Sequence, residues 1–132
     1  MSSSQTTAQR PTVLVIDDDL SVLSALGRLI RSAGYDVRTF SRPSALLAND
    51  FPTANTCMVA DVNLPEMNGA ELCEALGRKG RGLPVIFITG RTDSTTRAIT
   101  QRVPAVAVLF KPFNESLLFP AISRALKTQS SE

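Results

Sequence analysis

The chain has 132 residues, and its composition of 43% hydrophobic and 20% charged residues is typical of one folded domain with a sizeable core. The 14 Lys and Arg residues only slightly exceed the 12 Asp and Glu residues and are scattered, which argues against a nucleic-acid-binding surface. No apolar run is long enough to cross a bilayer. Because the chain contains no histidine, it offers by itself no His-based triad and no His-ligated metal.

We expect one domain over residues 11–127, preceded by a disordered N-terminal tail (1–10) and followed by a polar C-terminal tail (128–132). Cys57 and Cys73 lie in apolar segments and match no metal-binding or redox spacing, so we interpret them as reduced core residues. Reduced thiols favour a cytoplasmic location. We expect no contact with a membrane or with nucleic acid from this chain.

The predicted elements alternate between strands and helices. The first strand leads into a helix whose leucines recur every three residues (Leu20, Leu23, Leu26) and which Gly34 should end. In chain order, the prediction is strand 12–16, helix 20–33, strand 36–40, helix 41–47 with Ser41 as cap, strand 57–60, helix 70–76, strand 84–88, helix 94–103, strand 106–110 and helix 115–127 with Asn114 as cap. Four strands are almost continuously apolar, as doubly buried strands are, whereas residues 36–40 alternate and are expected at an edge. Five β-α repeats predict an α/β fold, a doubly wound five-stranded parallel sheet with helices on both faces.

Polar side chains stand directly after the four apolar strands. In chain order they are Asp17-Asp18-Asp19, Asp61, Thr89 and Lys111. Ligand sites in open α/β sheets form beyond the carboxyl ends of the strands, where the strand order reverses. With the strand order 2-1-3-4-5, the first and third strands are neighbours. The aspartates of both strands should then converge, with Thr89 and Lys111 arriving from the far side.

Such a cluster favours phosphoryl chemistry with a metal. Three close carboxylates repel one another, and a hard divalent cation such as Mg²⁺, or Mn²⁺ in its place, is the simplest remedy. The cation, a lysine and a threonine hydroxyl together suit the oxygens of a phosphoryl group, and the central aspartate can act as nucleophile. Each residue also has a structural interpretation as a helix cap or a turn residue. One shared site explains the four positions with fewer assumptions than four unrelated structural roles, each at a strand end.

Four segments resemble the receiver domains of two-component response regulators, and the resemblance covers residues 11–127. VLVIDDD resembles the first strand and acidic pair of the family, MVADVNLPEMNG its phosphoacceptor segment, PVIFITG its fourth strand and LFKPF the end of its fifth. The resemblance implies a flavodoxin-like fold. It also implies a Lys111–Pro112 peptide bond that is usually cis in the family.

The resemblance further implies how the acceptor works. Asp61 would accept a phosphoryl group from a sensor histidine kinase, a histidine phosphotransfer protein or a small donor such as acetyl phosphate. Asp18, Asp61 and the backbone carbonyl of Asn63 would hold Mg²⁺ directly, and Asp17 would assist through water. Transfer and dephosphorylation would be self-catalysed, so the chain would be a phosphoacceptor rather than a conventional enzyme.

The phosphoryl oxygens also have implied partners. Lys111, the Thr89 hydroxyl and the backbone N–H of Gly90 would bind them, with Thr89 as the conformational switch. Asn63 and Arg91, two residues after the acceptor and the switch residue, would set the phosphoryl lifetime.

Three departures from the family pattern fall on the face formed by the fourth helix, fifth strand and fifth helix. Val108 replaces a usual aromatic residue, Pro104-Ala105 replaces Gly-Ala, and Pro120 should kink the last helix. In the family this face carries output to a downstream protein effector or forms a homodimer. The predicted chemistry is therefore intact, whereas the predicted output is altered.

Competing interpretations come from other classes of protein. A pseudo-receiver would keep the fold and signal through interactions without phosphorylation. An aspartyl phosphatase would need a second acid at the position of Asn63, and a flavin-binding module would need a phosphate loop where the three aspartates stand. We expect a stand-alone regulator, because no effector follows residue 127, with a receiver cut from a longer DNA-binding regulator as the alternative.

Overall fold

Five parallel strands form one sheet in the computed structural model, which describes residues 10–112 and 114–130. The strands are β1 (Thr12–Ile16), β2 (Asp36–Phe40), β3 (Thr56–Asp61), β4 (Val85–Thr89) and β5 (Ala107–Phe110). Their order is β2-β1-β3-β4-β5, which confirms both the predicted topology and the edge position of the second strand. Nearly all of the predicted N-terminal tail and the last two residues of the predicted C-terminal tail lie outside the described residues.

Helices cover both faces of the sheet. They are α1 (Leu20–Ser32), α2 (Pro43–Ala48), α3 (Gly69–Arg78), α4 (Ser94–Thr100) and α5 (Glu115–Ser130). α1 and α5 pack on one face, and α2, α3 and α4 pack on the other, which confirms the doubly wound prediction. Within the part of the chain that the structure describes, no helix is both long and apolar enough to cross a membrane.

The core consists of two apolar layers, and β1 contributes to both. Val13 and Val15 pack with α1 and α5, whereas Leu14 and Ile16 pack with α2 and α3. This alternation follows from the two-residue period of a strand. Since both faces of the sheet are covered, every residue of β1 is buried, which explains its continuous apolar run.

The predicted cap of the second helix is wrong. α2 begins at Pro43, its N-cap is Arg42, and no side chain of the N-cap residue bonds to the helix. The backbone N–H of Ser44 instead donates to the carboxylate of Glu66, which lies far along the chain. A distant carboxylate therefore replaces the local hydroxyl expected from Ser41.

The last two helices differ in length from the prediction. α4 ends at Thr100 rather than near residue 103, and residues 101–104 form turns. Proline disfavours helical geometry in the residue before it, so Pro104 prevents α4 from extending as predicted. α5 instead continues three residues beyond Lys127. Its last turn is held by the side chain of Gln129, which accepts the N–H of Thr56 at the start of β3 and donates to the Thr53 carbonyl in the loop before it.

Both cysteines are free, with Cys57 buried in β3 and Cys73 half-buried in α3. Burial raises the pKa of each thiol to about 12, and the charge of Glu74 adds to the effect on Cys73. The thiolate is the reactive form, so we expect iodoacetamide near pH 8 to alkylate the native protein at least ~10³-fold more slowly than free cysteine. Intact mass against time measures this rate. In guanidinium two alkylations should appear quickly, and fast labelling of either thiol in the native protein would contradict the prediction.

Candidate functional site

Three carboxylates meet at the carboxyl ends of the two central strands. β1 and β3 pair in parallel, so the residues that follow β1 lie beside the last residue of β3. Asp17, Asp18 and Asp61 each offer an oxygen, and these oxygens all lie within 4.8 Å of one another. Asp17 and Asp61 are buried, whereas Asp18 is exposed. The predicted convergence of the aspartates is therefore observed.

Lys111 joins this cluster from the end of β5. Its Nζ lies 2.9 Å from Oδ2 of Asp17 and 3.4 Å from Oδ2 of Asp61. The backbone N–H of Lys111 donates to the Thr89 carbonyl at 2.7 Å, which fixes the start of the loop beyond β5 against β4. The Lys111–Pro112 peptide bond is cis, as the resemblance implied. A side chain 50 residues from Asp61 in sequence thus contacts its carboxylate.

One lysine does not neutralise three carboxylates, so the cluster carries a formal charge of about −2. Two carboxylates about 5 Å apart repel by roughly 3 kcal/mol at an effective dielectric constant near 20. Burial and the neighbouring charge of Asp17 raise the pKa of Asp61, and Lys111 only partly opposes them. Burial acts to lower the pKa of Lys111, but the hydrogen bond to Asp17 and the charges of Asp61 and Asp17 outweigh it, so that pKa is raised.

The donor set of the cluster fits a hard divalent cation. All of its ligand atoms are carboxylate oxygens, which suit Mg²⁺ or Mn²⁺ rather than zinc. An ion of charge +2 would offset the surplus negative charge. The exposed carboxylate of Asp18 leaves one side of the cluster open to solvent, and 9% of the Asp61 side chain is also accessible. The acceptor predicted from the sequence is therefore not closed off.

Asp19, the third aspartate after β1, caps a helix rather than joining the acidic cluster. The Asp19 carboxylate accepts hydrogen bonds from the backbone N–H groups of Ser21 and Val22 at 3.0 and 3.2 Å. It is the N-cap of α1. Asp17 accepts the N–H of Asp19 at 2.9 Å. The helix-cap interpretation of the aspartates thus holds for Asp19, while Asp17 and Asp18 join the cluster.

The loop after β4 is closed by hydrogen bonds between its own residues. The buried Thr89 hydroxyl accepts the N–H of Arg91 at 3.0 Å and lies 3.4 Å from the Arg91 carbonyl, to which it donates. Its hydrogen bonds are therefore within this loop and not to the acidic cluster. The guanidinium of Arg91 is exposed and pairs with Asp93 at 3.5 Å. A Cβ built on Gly90 would meet no atom within 4 Å, so the space beside it is open.

The loop from β3 to α3 begins at the acceptor. The N–H of Asn63 donates to Oδ1 of Asp61 at 3.2 Å, which places the Asn63 backbone beside the acceptor carboxylate. The N–H of Gly69 donates to the Val62 carbonyl at 2.8 Å and closes the loop. Glu66, at the tip, was not singled out from the sequence, since nothing local indicates its bonds to α2.

Two of the positions that depart from the family pattern, Val108 and Pro120, lie in β5 and α5. Val108 is half-buried on β5 and packs against the apolar layer of α2, α3 and α4. α5 continues through Pro120, and the kink there remains a prediction. Phe110 and Leu117 are large apolar residues that are about half exposed on β5 and α5.

The fold and the cluster define a doubly wound α/β domain with an acidic, lysine-bridged site at the strand ends. The response regulator receiver domain family matches residues 13–123, which is most of the chain. The chain therefore belongs to the response regulator receiver domain family, as its motifs implied.

Named relatives agree with this assignment. The chain is 37% identical over 119 residues to response regulator protein TmoT of Ectopseudomonas mendocina, an alignment that covers 90% of this chain and 54% of TmoT. It is 38% identical over 115 residues to response regulator protein TodT of Pseudomonas putida, covering 87% of this chain and 51% of TodT. The chain thus spans about half the length of the curated relatives it matches.

Solved structures confirm the fold. The response regulator StyR is 40% identical with a TM-score of 0.80, and the match covers 93% of this chain and 62% of that chain. The crystal structure of FixJ-N is 31% identical with a TM-score of 0.79, covering 90% of this chain and 95% of that chain.

Proposed function

We propose that this receiver accepts a phosphoryl group on Asp61 in a Mg²⁺-dependent reaction. The single observation that carries the proposal is the bridge made by Lys111, whose Nζ contacts both Asp17 and Asp61 inside the acidic cluster. This arrangement brings together a nucleophile, oxygen ligands for a cation and a positively charged donor for phosphoryl oxygens.

In the proposed transfer, a carboxylate oxygen of Asp61 attacks the phosphorus of a phosphohistidine or of acetyl phosphate. A bond forms between this oxygen and phosphorus, and the P–N bond to imidazole, or the P–O bond to acetate, breaks. The electron pair of the broken bond leaves with the imidazole or acetate group. Water later attacks the acyl phosphate, which releases inorganic phosphate and restores the carboxylate. The chain is then a self-catalysing phosphoacceptor rather than a conventional enzyme.

We assign the Mg²⁺ ligands to Asp18, Asp61 and the backbone carbonyl of Asn63, with Asp17 acting through water. The all-oxygen donor set and its surplus negative charge support this assignment. The position of the Asn63 N–H on the Asp61 carboxylate supports the third ligand. When bound, Mg²⁺ would offset negative charge on the phosphoryl oxygens, and Mn²⁺ would suit the same ligands.

The phosphoryl oxygens are assigned to Lys111, the Thr89 hydroxyl and the N–H of Gly90. To donate to a phosphoryl oxygen, the Thr89 hydroxyl has to give up the hydrogen bond that it donates to the Arg91 carbonyl, so phosphorylation would redirect this hydroxyl. Asn63 and Arg91 are each the second residue after their strand, β3 and β4, and we assign them the control of water access and hence of phosphoryl lifetime.

The family membership implies a histidine kinase as partner and an effector downstream. We assign the donor to a sensor histidine kinase or a histidine phosphotransfer protein, and a cytoplasmic location follows from that partner. The relatives TdiR of Thauera aromatica and FixJ of Azorhizobium caulinodans are named transcriptional regulatory proteins. Their names support transcriptional control as the output. Val108 and the apolar residues of β5 and α5 would modulate that output, through an effector or a homodimer.

The test is incubation with acetyl phosphate and Mg²⁺ followed by intact-mass measurement. We expect one phosphoryl adduct of about 80 Da on the wild type and none on Asp61→Asn, because an amide at the acceptor is no nucleophile for this step. Excess chelator during the incubation should prevent formation of the adduct, and Mn²⁺ supplied in place of Mg²⁺ should allow it.

The controls separate the receiver from a pseudo-receiver. Asp36→Asn removes an exposed carboxylate at the opposite end of the sheet and should leave the adduct unchanged. Absence of an adduct on the wild type with acetyl phosphate and with a phosphorylated histidine donor would refute the proposal and favour signalling without phosphorylation.

A further inference from the structure

The loop between β3 and α3 carries a backbone conformation that glutamate rarely adopts. Glu66 has φ +72°, in the left-handed region that favours glycine. The N–H of Met67 donates to the Pro65 carbonyl at 2.7 Å and tightens the turn around Glu66. Such a conformation in a residue with a side chain persists only when surrounding contacts hold it.

The contacts that hold Glu66 come from α2. Its Oε1 accepts the backbone N–H of Ser44 at 2.8 Å, and its Oε2 accepts the Ser44 hydroxyl at 2.9 Å. Both bonds are charge-assisted and therefore stronger than neutral ones. The N-cap residue of α2 offers no side-chain bond, so Glu66 supplies the cap from 22 residues away. The tip of the loop is thereby fastened to another element of the fold.

The start of the same loop is held at the acceptor, because the N–H of Asn63 donates to the Asp61 carboxylate. The N–H of Gly69, at the end of the loop, donates to the carbonyl of Val62. The Asn63 carbonyl lies in the short stretch between the Asn63 N–H bond and Glu66. A rotation of the backbone in this stretch would change the direction of that carbonyl. The direction of the Asn63 carbonyl therefore depends on where Glu66 is held.

Glu66 also shares a cavity with Asp18 of the acidic cluster. A cavity of about 420 Å³ is lined by Asp18, Leu20, Ser41, Arg42, Pro65 and Glu66. The Glu66 bonds to Ser44 thus hold a residue that lines the same cavity as Asp18.

We propose that Glu66 is a positioning residue for the metal site. By anchoring the loop tip to α2, it holds the Asn63 carbonyl in the direction that binding of a divalent cation beside Asp61 requires. The inference rests on the proposed function in that Mg²⁺ is taken to bind at this cluster. Glu66 itself touches neither the cation nor the phosphoryl group in this proposal.

The test measures Mg²⁺ affinity by amide chemical shifts of the unphosphorylated protein, without any phosphodonor. Groups that orient metal ligands typically change affinity by about 10- to 100-fold, so we expect Glu66→Ala to raise the Kd for Mg²⁺ about tenfold. Ser44→Ala removes one of the two bonds and should raise the Kd about threefold. Glu66→Gln should stay within about twofold of wild type, because its amide can accept the Ser44 N–H and donate to the hydroxyl.

The comparison of variants makes the outcomes decisive. Glu74→Ala removes a carboxylate that pairs with Arg102, away from this loop, and should leave the Kd unchanged. Unchanged affinity in a folded Glu66→Ala protein overturns the proposal, and so does a Glu66→Gln protein as weak as Glu66→Ala, since charge rather than position would then matter. If Glu66→Ala does not fold, Ser44→Ala decides by the same measure. Failure of the wild type to bind Mg²⁺ would refute the proposed function instead.

Discussion

Replacement of Lys111 by Met is expected to slow phosphorylation of Asp61 by acetyl phosphate about 10²-fold or more. Met has a similar length but no charge, so phosphoryl oxygens would lose their positively charged donor. Removal of one such pre-positioned donor typically costs about 10²- to 10³-fold in rate. The measurement is a time course of intact mass at saturating Mg²⁺, with the rate taken from the appearance of the adduct.

Two companion measurements separate this effect from a loss of the metal site. Lys111 contributes no metal ligand, and removal of its positive charge lowers the repulsion of a cation. The Kd for Mg²⁺ should therefore stay the same or fall. Lys79→Met changes an exposed lysine at the end of α3 and should phosphorylate at the wild-type rate. A Lys111→Met protein phosphorylated within tenfold of wild type would contradict the proposed role.

The sheet and the convergence of the aspartates could be predicted because both follow from burial and topology. A strand covered on both faces needs apolar residues at every position, and β1 shows that pattern from its first residue to its last. Once the strands are ordered, the residues after β1 and β3 have to meet at the same edge. No knowledge of side-chain conformation is needed for Asp18 and Asp61 to be placed together.

Features that depend on contacts between distant segments could not be predicted. Ser41 is a good cap by local rules, yet α2 is capped by Glu66, which no local pattern connects to it. The last turn of α5 looked like a polar tail because its stability comes from the bonds of Gln129 to the backbone at Thr53 and Thr56. In each case a tertiary contact overrides local sequence preference.

The direction of individual side chains also lay beyond the sequence. The motif places Thr89 at the end of β4, but its hydroxyl bonds to the backbone of Arg91. The run of three aspartates likewise gives no sign that the third would cap α1 while the first would pair with Lys111. Motif and topology predict which residues gather, whereas local hydrogen bonds decide which of them contact one another.

Gly69→Ala is expected to lower the free energy of unfolding by about 1–3 kcal/mol, the usual cost of overpacking a filled core. A Cβ at this first residue of α3 would lie 2.8 Å from the ring of Phe87 and 3.1 Å from the carbonyl oxygen of Asp61. Phe87 is fully buried, so its ring cannot relieve the clash by moving into solvent. The carbonyl belongs to the acceptor, so relief of the clash would also shift Asp61 and slow its phosphorylation.

The same helix provides the matched control. Gly77 is exposed near the end of α3, and a Cβ there would meet no atom within 4 Å. Gly77→Ala should therefore raise the free energy of unfolding by up to about 1 kcal/mol, since alanine loses less backbone entropy in a helix. Urea unfolding followed by far-UV circular dichroism suits a chain without tryptophan, and equal m-values for the variants would validate the comparison. Equal changes at the two glycines would show that helix propensity, rather than the close packing of α3 against the acceptor, determines the effect.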